Sequence, residues 1–424
     1  MRKRGIAVLL SLTVVAAMFS GCGSSEKKVE EGKGGEEIIT VWMPEQSKGE
    51  QEVYEQNAAK YNEENGGKSR VELTFIPRGN GYEYENKLNA AAVSGDLPDI
   101  IFMDGPTVAN YVSADLIQPL SPYFTEEEKS AFVPSIIEQG TINNELYAVG
   151  PSESSVVLYC NKKMFDEAGI EIPKTKEDAW SWEEVYQYAK QLQTKDRKGI
   201  NLTWDLGEGQ IYGLAPIVWS NGAELLDETG TKAKGYVNSK EAVDALKIYQ
   251  KIATEGLMDL QALPDEFANG GSAMYLMGTW EYGNLVNNFP DLEFEVTFYP
   301  TSNKEVGVVS PSGDWAWGIT SASKQPEVAA NVIKFFTSEE QVEAYVKASN
   351  KPASLVSVLE KQELHPVIKE QVKTTAHPRP ISTSYPVLSK EYSVAMQDIR
   401  TGADIQKALD TVAERFEADV ERNK

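Results

Sequence analysis

Apolar residues recur along this chain with two periods, and the two alternate. Ile38-Ile-Thr-Val-Trp-Met43 is a β-rich run ended by Pro44. Tyr54, Ala58 and Tyr61 then recur at helical spacing up to Gly66-Gly67. Val71, Leu73 and Phe75 alternate as in a strand, and Leu88, Ala91 and Ala92 mark a helix that ends at Gly95. Pro98-Asp-Ile-Ile-Phe-Met103 has the continuous apolar pattern of a buried strand. Farther on, Ser181-Trp-Glu-Glu184 fits a capping box whose helix continues through Val185, Ala189 and Leu192. Asn238 is expected to cap a helix with Ala242, Leu246, Tyr249 and Ala253 on one face and Gly256 as its stop. Pro326 opens a helix carrying Val328, Val332 and Phe335, and Ile405, Leu409, Val412 and Phe416 line a long terminal one. Strands alternating with helical periods predict βαβ units, hence an α/β fold with mostly parallel sheets flanked by helices. Residues 38–424 exceed what one hydrophobic core holds, so two domains are expected.

The first 37 residues break this pattern. Arg2, Lys3 and Arg4 precede the apolar stretch Ile6–Phe19, which is too short for the roughly 20 residues of a membrane span and fits a signal-peptide core. It ends in Phe19-Ser20-Gly21-Cys22, which resembles a bacterial lipobox with Phe19 in place of the usual Leu. By that resemblance residues 1–21 are removed and Cys22 is the lipidated first residue. Residues 22–37 hold Lys, Glu, Gly and Ser with one large apolar residue, Val29, and read as a flexible tether reaching on the order of 20 Å.

Charge and cysteine narrow the classes. The net charge is −23, and loss of Arg2, Lys3 and Arg4 makes it −26, which argues against nucleic acid and anionic membrane surfaces as partners. With Cys22 modified, no disulfide can form, and Cys160 in Val156-Val-Leu-Tyr-Cys160 reads as a small buried apolar side chain. His365 and His377 are the only histidines, which leaves a Ser/His/Asp triad or a His-rich metal site almost nothing to use. No GxGxxG, P-loop or HExxH is present, and Gly207-Glu-Gly-Gln-Ile-Tyr-Gly213 reads as a turn. No cofactor and no metal are expected.

Three of the eight Trp lie in breaker-rich sequence, Gly278-Thr-Trp-Glu-Tyr-Gly283 and Ser310-Pro-Ser-Gly-Asp-Trp-Ala-Trp-Gly318. Core Trp usually sits within an apolar period; these are placed where rings and backbone approach a ligand.

In order and spacing, several segments together resemble the family 1 extracellular solute-binding proteins, sugar-binding lipoproteins of ABC importers. They are Ile39-Thr-Val-Trp42, Gly95-Asp-Leu-Pro-Asp-Ile100, Leu158-Tyr-Cys-Asn-Lys-Lys-Met-Phe165 with Gly169 and Trp182-Glu-Glu-Val185, and Val237-Asn-Ser-Lys-Glu-Ala242. Phe267-Ala-Asn-Gly-Gly-Ser-Ala-Met274 with Gly278-Thr-Trp280, and Gly318-Ile-Thr-Ser-Ala-Ser-Lys324 with Phe335-Phe336, complete the set. The resemblance covers the chain after the tether. It implies a two-lobed periplasmic-binding-protein-like fold with about three crossovers, near Leu158–Asn161, Gly313–Gly318 and Asn350–Ala353. The N-lobe would be 38–158 and 318–350, the C-lobe 161–313 and 351–424. A carbohydrate would bind between them, and hinge closure would signal to an ABC permease. The implied protein is a monomer held to the membrane only through Cys22, on the outer face of a Gram-positive type cell.

Sugars offer apolar C–H faces to rings and hydroxyls to charged or amide groups. Trp280 occupies the family's binding position and is the leading stacking platform. Trp219 and Asn221, in Val218-Trp-Ser-Asn-Gly222, follow what reads as a strand and precede a turn. Trp315 and Trp317 are expected on opposite sides, Trp315 toward ligand beside Gly313 and Asp314. Trp42 ends the first strand, where ligands lie in open α/β sheets. Relatives place a sugar-binding acid at the position of Glu153, and Asp104 is the matching acid at the end of Pro98–Met103. Arg78, Asn80 and Tyr82 follow the second strand. Arg379 lies in His377-Pro-Arg-Pro380, after which relatives reach the cleft. For each, the competing structural role is a core ring, a helix cap or a solvated turn. The rival reading is a secreted glycoside hydrolase, which needs two carboxylates roughly 5–9.5 Å apart. A lipoprotein serving a membrane sensor would share every residue named.

Overall fold

The computed structural model describes residues 36–78, 83–204 and 207–423; Cys22, Asn80, Tyr82 and the expected signal and tether up to residue 35 lie outside them. Two sheets organise the chain. The first has five strands in the order Ser69–Ile76, Glu37–Pro44, Ile100–Asp104, Trp315–Thr320, Ile117–Gln118. Its first three are parallel, and Trp315–Thr320 runs antiparallel to both its neighbours. The second sheet has the order Phe294–Thr297, Val156–Asn161, Ser272–Gly278, Lys198–Asn201. Only its last two strands are parallel. The α/β layering follows the expected alternation, but the pairing is mixed where mostly parallel sheets were expected. Trp315–Thr320 and Val156–Asn161 enter their sheets from crossing segments, not from a βαβ unit, and so enter reversed.

Both faces of the first sheet are covered, as parallel strands require. Ile39, Val41 and Met43 point to one core with Phe102, Trp317 and Ile319, while Ile101, Met103 and Ala316 point to the other. The helix Lys48–Glu64 closes the first core with Tyr54, Ala58 and Tyr61, and Ser47 and Glu50 form its capping box. A single core surrounds the second sheet and gathers the helices Trp182–Leu192, Glu208–Trp219, Lys240–Thr254, Tyr385–Arg400 and Ile405–Arg422. Each large apolar side chain buried this way contributes about 1.5–3 kcal/mol against exposure.

Three local expectations change. Glu208–Trp219 is a helix, not a turn followed by a strand. It is buried all round, so its apolar residues show no single face, and a period cannot separate it from a strand. Asn238 does not cap the next helix; Ser239 does, accepting from the Ala242 amide, while Asn238 accepts from Gly235. The helix Tyr385–Arg400 was not anticipated, although Leu388, Tyr392, Ala395, Met396 and Ile399 bury at helical spacing.

Among the described residues the chain passes between the two sheets three times. Val149 packs with the first sheet and Val156 with the second; Val308 with the second and Trp317 with the first; Leu359 with the first and Val367 with the second. Residues 351–361 were expected in the second lobe, yet Ala353, Leu355, Val358 and Leu359 pack in the first core. The short helix Val356–Lys361 turns its apolar side back onto that core before Pro366 opens a new one. Even so, Ala353 bridges Ser152, and the Glu153 amide donates to the Pro352 carbonyl, so this segment runs beside the first crossing.

Candidate functional site at the junction of the two lobes

The two lobes meet at an ion triad. Arg379 follows the strand Ala376–Pro378, which pairs with Ser310–Ser312 on the second lobe. Its guanidinium donates to both oxygens of Asp104, at 3.0 and 2.8 Å, at the carboxyl end of the first lobe's strand Ile100–Asp104. The same Nη1 donates to Glu208, at 2.6 Å, at the start of the helix Glu208–Trp219. Tyr385 and Ser389 donate to the Glu208 carboxylate as well. Burial pushes the Glu208 carboxyl above its ordinary range, against the pull of Arg379. A further interlobe bond runs from Asn110 to the Thr383 carbonyl at 2.7 Å. Asp104 therefore stands at the end of a parallel strand, where open α/β sheets place ligands.

Aromatic rings surround the triad. The Arg379 guanidinium lies 4.8 Å from the Tyr212 ring centre. Tyr212 is 5.9 Å from Trp280, tilted by 31°, and Trp204 meets both edge-on. The Trp280 ring folds back over Gly278, and Trp204 packs on Gly213; a Cβ at either glycine would overlap the ring. That is why the breaker-rich sequence is needed there. Trp280 stays partly exposed, and Glu281 beside it has a carboxyl raised by burial. On the first lobe, Trp315 is paired in register with Asp104, with Arg78 5.1 Å from its ring centre.

Trp315 and Trp317 do not divide by face. Both touch Phe102, because positions two apart in a strand share a side. Trp317 is deep in the sheet, stacked on Phe102 at 4.0 Å, whereas Trp315 sits at the strand's start and stays partly exposed. Trp42 is partly buried against the other face, with the Lys87 ammonium 4.7 Å from its ring centre.

Five expected residues lie elsewhere. Trp219 is buried in the second core and stacks on His377 at 4.3 Å, and Asn221 donates to the Glu241 carbonyl. Both follow from the helix that replaced the expected strand. Glu153 is fully buried in the crossings: its carboxylate accepts from the amides of Ser154 and Gly313 and from Ser135. Burial raises its carboxyl above the ordinary range. Asp314 accepts from Ser152 at 2.6 Å and pairs with Lys351 at 3.3 Å. Lys351 also pairs with Glu50 at 3.3 Å, and Glu50 accepts from Tyr345. Gly313, at φ 101°, leaves room for the Gln139 amide, which a Cβ would strike. Glu153, Gly313 and Asp314 thus knit the crossings together, with their polar groups taken by protein.

Sequence reasoning did not select Trp204, Tyr212 or Glu208. The one available signal was Trp204 beside Gly207, the same ring-and-breaker pairing that marked Trp280. Two cavities of about 320 and 640 Å³ lie on the second lobe; Lys176, Thr301 and Lys304 help line one, Lys390, Arg415 and Arg422 the other. Neither includes an expected site residue. Among the described residues, no group of three or more His, Cys, Asp or Glu is placed to hold a metal, and no helix is long and apolar enough to cross a membrane.

An acid–guanidinium pair thus joins the two lobes, with rings packed beside it. The family described as bacterial extracellular solute-binding protein matches residues 46–343. The chain belongs to that family. The multiple sugar-binding protein of Streptococcus mutans is 21% identical over 403 residues, covering 87% of this chain and 86% of that protein. A binding protein of Brucella abortus is 23% identical over 267 residues, 59% of this chain, and the match spans 60% of that relative's length. The fold is that of solved two-domain binding proteins. The ABC substrate-binding protein from Listeria monocytogenes, in complex with cycloalternan, superposes with a TM-score of 0.78 at 18% identity, over 91% of this chain and 99% of that one. The names of these relatives are those of binding proteins.

Proposed function

We propose that this protein captures a mono- or oligosaccharide between its lobes and delivers it to an ABC import permease. The observation that carries this is the pairing of Arg379 from one lobe with Asp104 from the other, flanked by Trp280, Tyr212 and Trp204. Charged groups there suit hydroxyls and rings suit sugar faces. Hinge closure would give the permease a shape that signals ligand. The S. mutans relative's sugar-binding name supports the same ligand class. We assign the ligand contacts to Trp280, Tyr212, Trp204, Asp104, Arg379 and Trp315, with Trp42 at the rim. A glycoside hydrolase fits less well, because Asp104 and Glu208 are both engaged by one guanidinium and neither is free as the acid of a pair. The chain acts as a monomer, anchored through lipidated Cys22 and the tether that follows.

Calorimetry over a carbohydrate panel tests this. At least one sugar should bind with Kd in the micromolar range or tighter, about −8 kcal/mol or more favourable, and leave unchanged. Released reducing ends would instead support the hydrolase. For the anchor, Cys22→Ser should move the protein from the membrane fraction to the soluble one; unchanged retention would refute lipidation.

A further inference from the structure

We propose that the site admits uncharged sugars and excludes those bearing a carboxylate, a selectivity that rests on the sugar-binding reading above. Among the described residues the buried cations are Lys351 and Arg379. Lys351 is sealed between Glu50 and Asp314. Arg379, its side chain 4% exposed, already serves two carboxylates: Asp104 through both terminal nitrogens and Glu208 through one. A third carboxylate, Glu85, is half-buried near enough to feel both Asp104 and Glu208. An arriving uronate would meet three like charges and no unclaimed buried guanidinium; like charges brought together in a desolvated site are strongly disfavoured.

What the site still offers suits neutral oxygen. Arg379 Nε is buried without a partner among the described residues, and its guanidinium lies over the Tyr212 ring. A buried donor left unmade is costly, so this nitrogen is a place for a hydroxyl or ring oxygen that brings no charge. The excess of acid over base around the triad, with Arg78 exposed on Trp315, leaves the balance unfavourable to anions.

Matched pairs test the rule on the full mature chain: galactobiose against digalacturonate, mannobiose against dimannuronate, and xylobiose against its glucuronate-bearing counterpart, by calorimetry at pH 7. Within any pair that binds, the neutral member should be tighter by about 100-fold or more. In Glu208→Gln, which removes one charge, keeps an oxygen for Tyr385 and leaves an amide that the Ser389 hydroxyl can accept from, that ratio should narrow by about tenfold; Asp104→Asn serves if the first variant does not fold. A uronate that binds the wild type as tightly as its neutral partner overturns the charge rule and leaves sugar binding standing. If neither these pairs nor the wider panel yields a binder, the sugar reading itself falls, and this inference with it.

Discussion

Two clusters in this protein place two carboxylates on one cation, and they are built for opposite ends. Glu50, Lys351 and Asp314 have side chains 8, 8 and 6% exposed and are closed on all sides. Lys351 also reaches Tyr345, Glu50 accepts from Ser47 and Tyr345, and Asp314 accepts from Ser152. Burial alone would drive the Lys351 ammonium down; Asp314 and Glu50 more than reverse it, and it is held above the usual lysine range. Glu50 is pushed up by burial but ends below the usual carboxylate range, chiefly through Lys351. Asp104, Arg379 and Glu208 instead reach solvent at both acids, 14 and 25% exposed, keep a guanidinium nitrogen unpartnered, and are walled by rings. The first cluster joins crossing segments to the first lobe's helix. The second joins the lobes and retains bonding capacity. The lesson is that burial of a charge does not by itself mark a site; a cluster that joins the lobes and keeps its acids open to solvent is the better candidate.

The largest effect should come from the sealed cluster. Lys351→Met leaves Glu50 and Asp314 buried without their cation and should lower the unfolding free energy by about 3–5 kcal/mol in urea titration. A loss below 1 kcal/mol would mean the cluster is not closed. Arg379→Met should invert the pattern: sugar affinity falls by about 2–4 kcal/mol, while stability falls less than in Lys351→Met, because its acids can turn to water. Equal losses of stability in the two variants would erase the contrast. Trp280→Ala should weaken binding by about 1–3 kcal/mol and leave the Tm of the empty protein nearly unchanged; a large drop in Tm would place that ring in the core. The smallest effect tests the crossings by pH. Glu153 has a raised folded pKa, so it favours the fold when protonated, and that contribution disappears as pH rises through the raised value. Glu153→Gln keeps an oxygen for the Ser154 and Gly313 amides without the buried charge. It should melt slightly above wild type at pH 8, by about 1 kcal/mol or less, and lose that advantage toward pH 4. A constant difference across this range would show that Glu153 does not change its charge there.

The amino-acid pattern was enough for elements whose cause is local. The capping box at Ser181, the Gly95 stop, the Pro326 start and the buried face of the terminal helix each rest on residues within a few positions of one another. It was not enough for Glu208–Trp219, where burial on every side removes the periodic signal. It also misjudged Glu153 and Asp314: an acid in a Gly- and Ser-rich stretch looks the same whether it faces ligand or ties crossings together. Asp104 and Arg379, named from the family resemblance, pair across the two lobes, while Trp280 packs on the second.

Sequence by itself determined the α/β layering, the two-core division and the pool of rings and acids, because propensity, capping and hydrophobic period act over short spans of chain. Only the tertiary structure decided which acids share a cation. Arg379 and Asp104 are 275 positions apart, and Lys351 and Glu50 about as far. Their pairing depends on three chain crossings that bring distant strand ends together, and side-chain spacing along the sequence carries no record of which ends will meet.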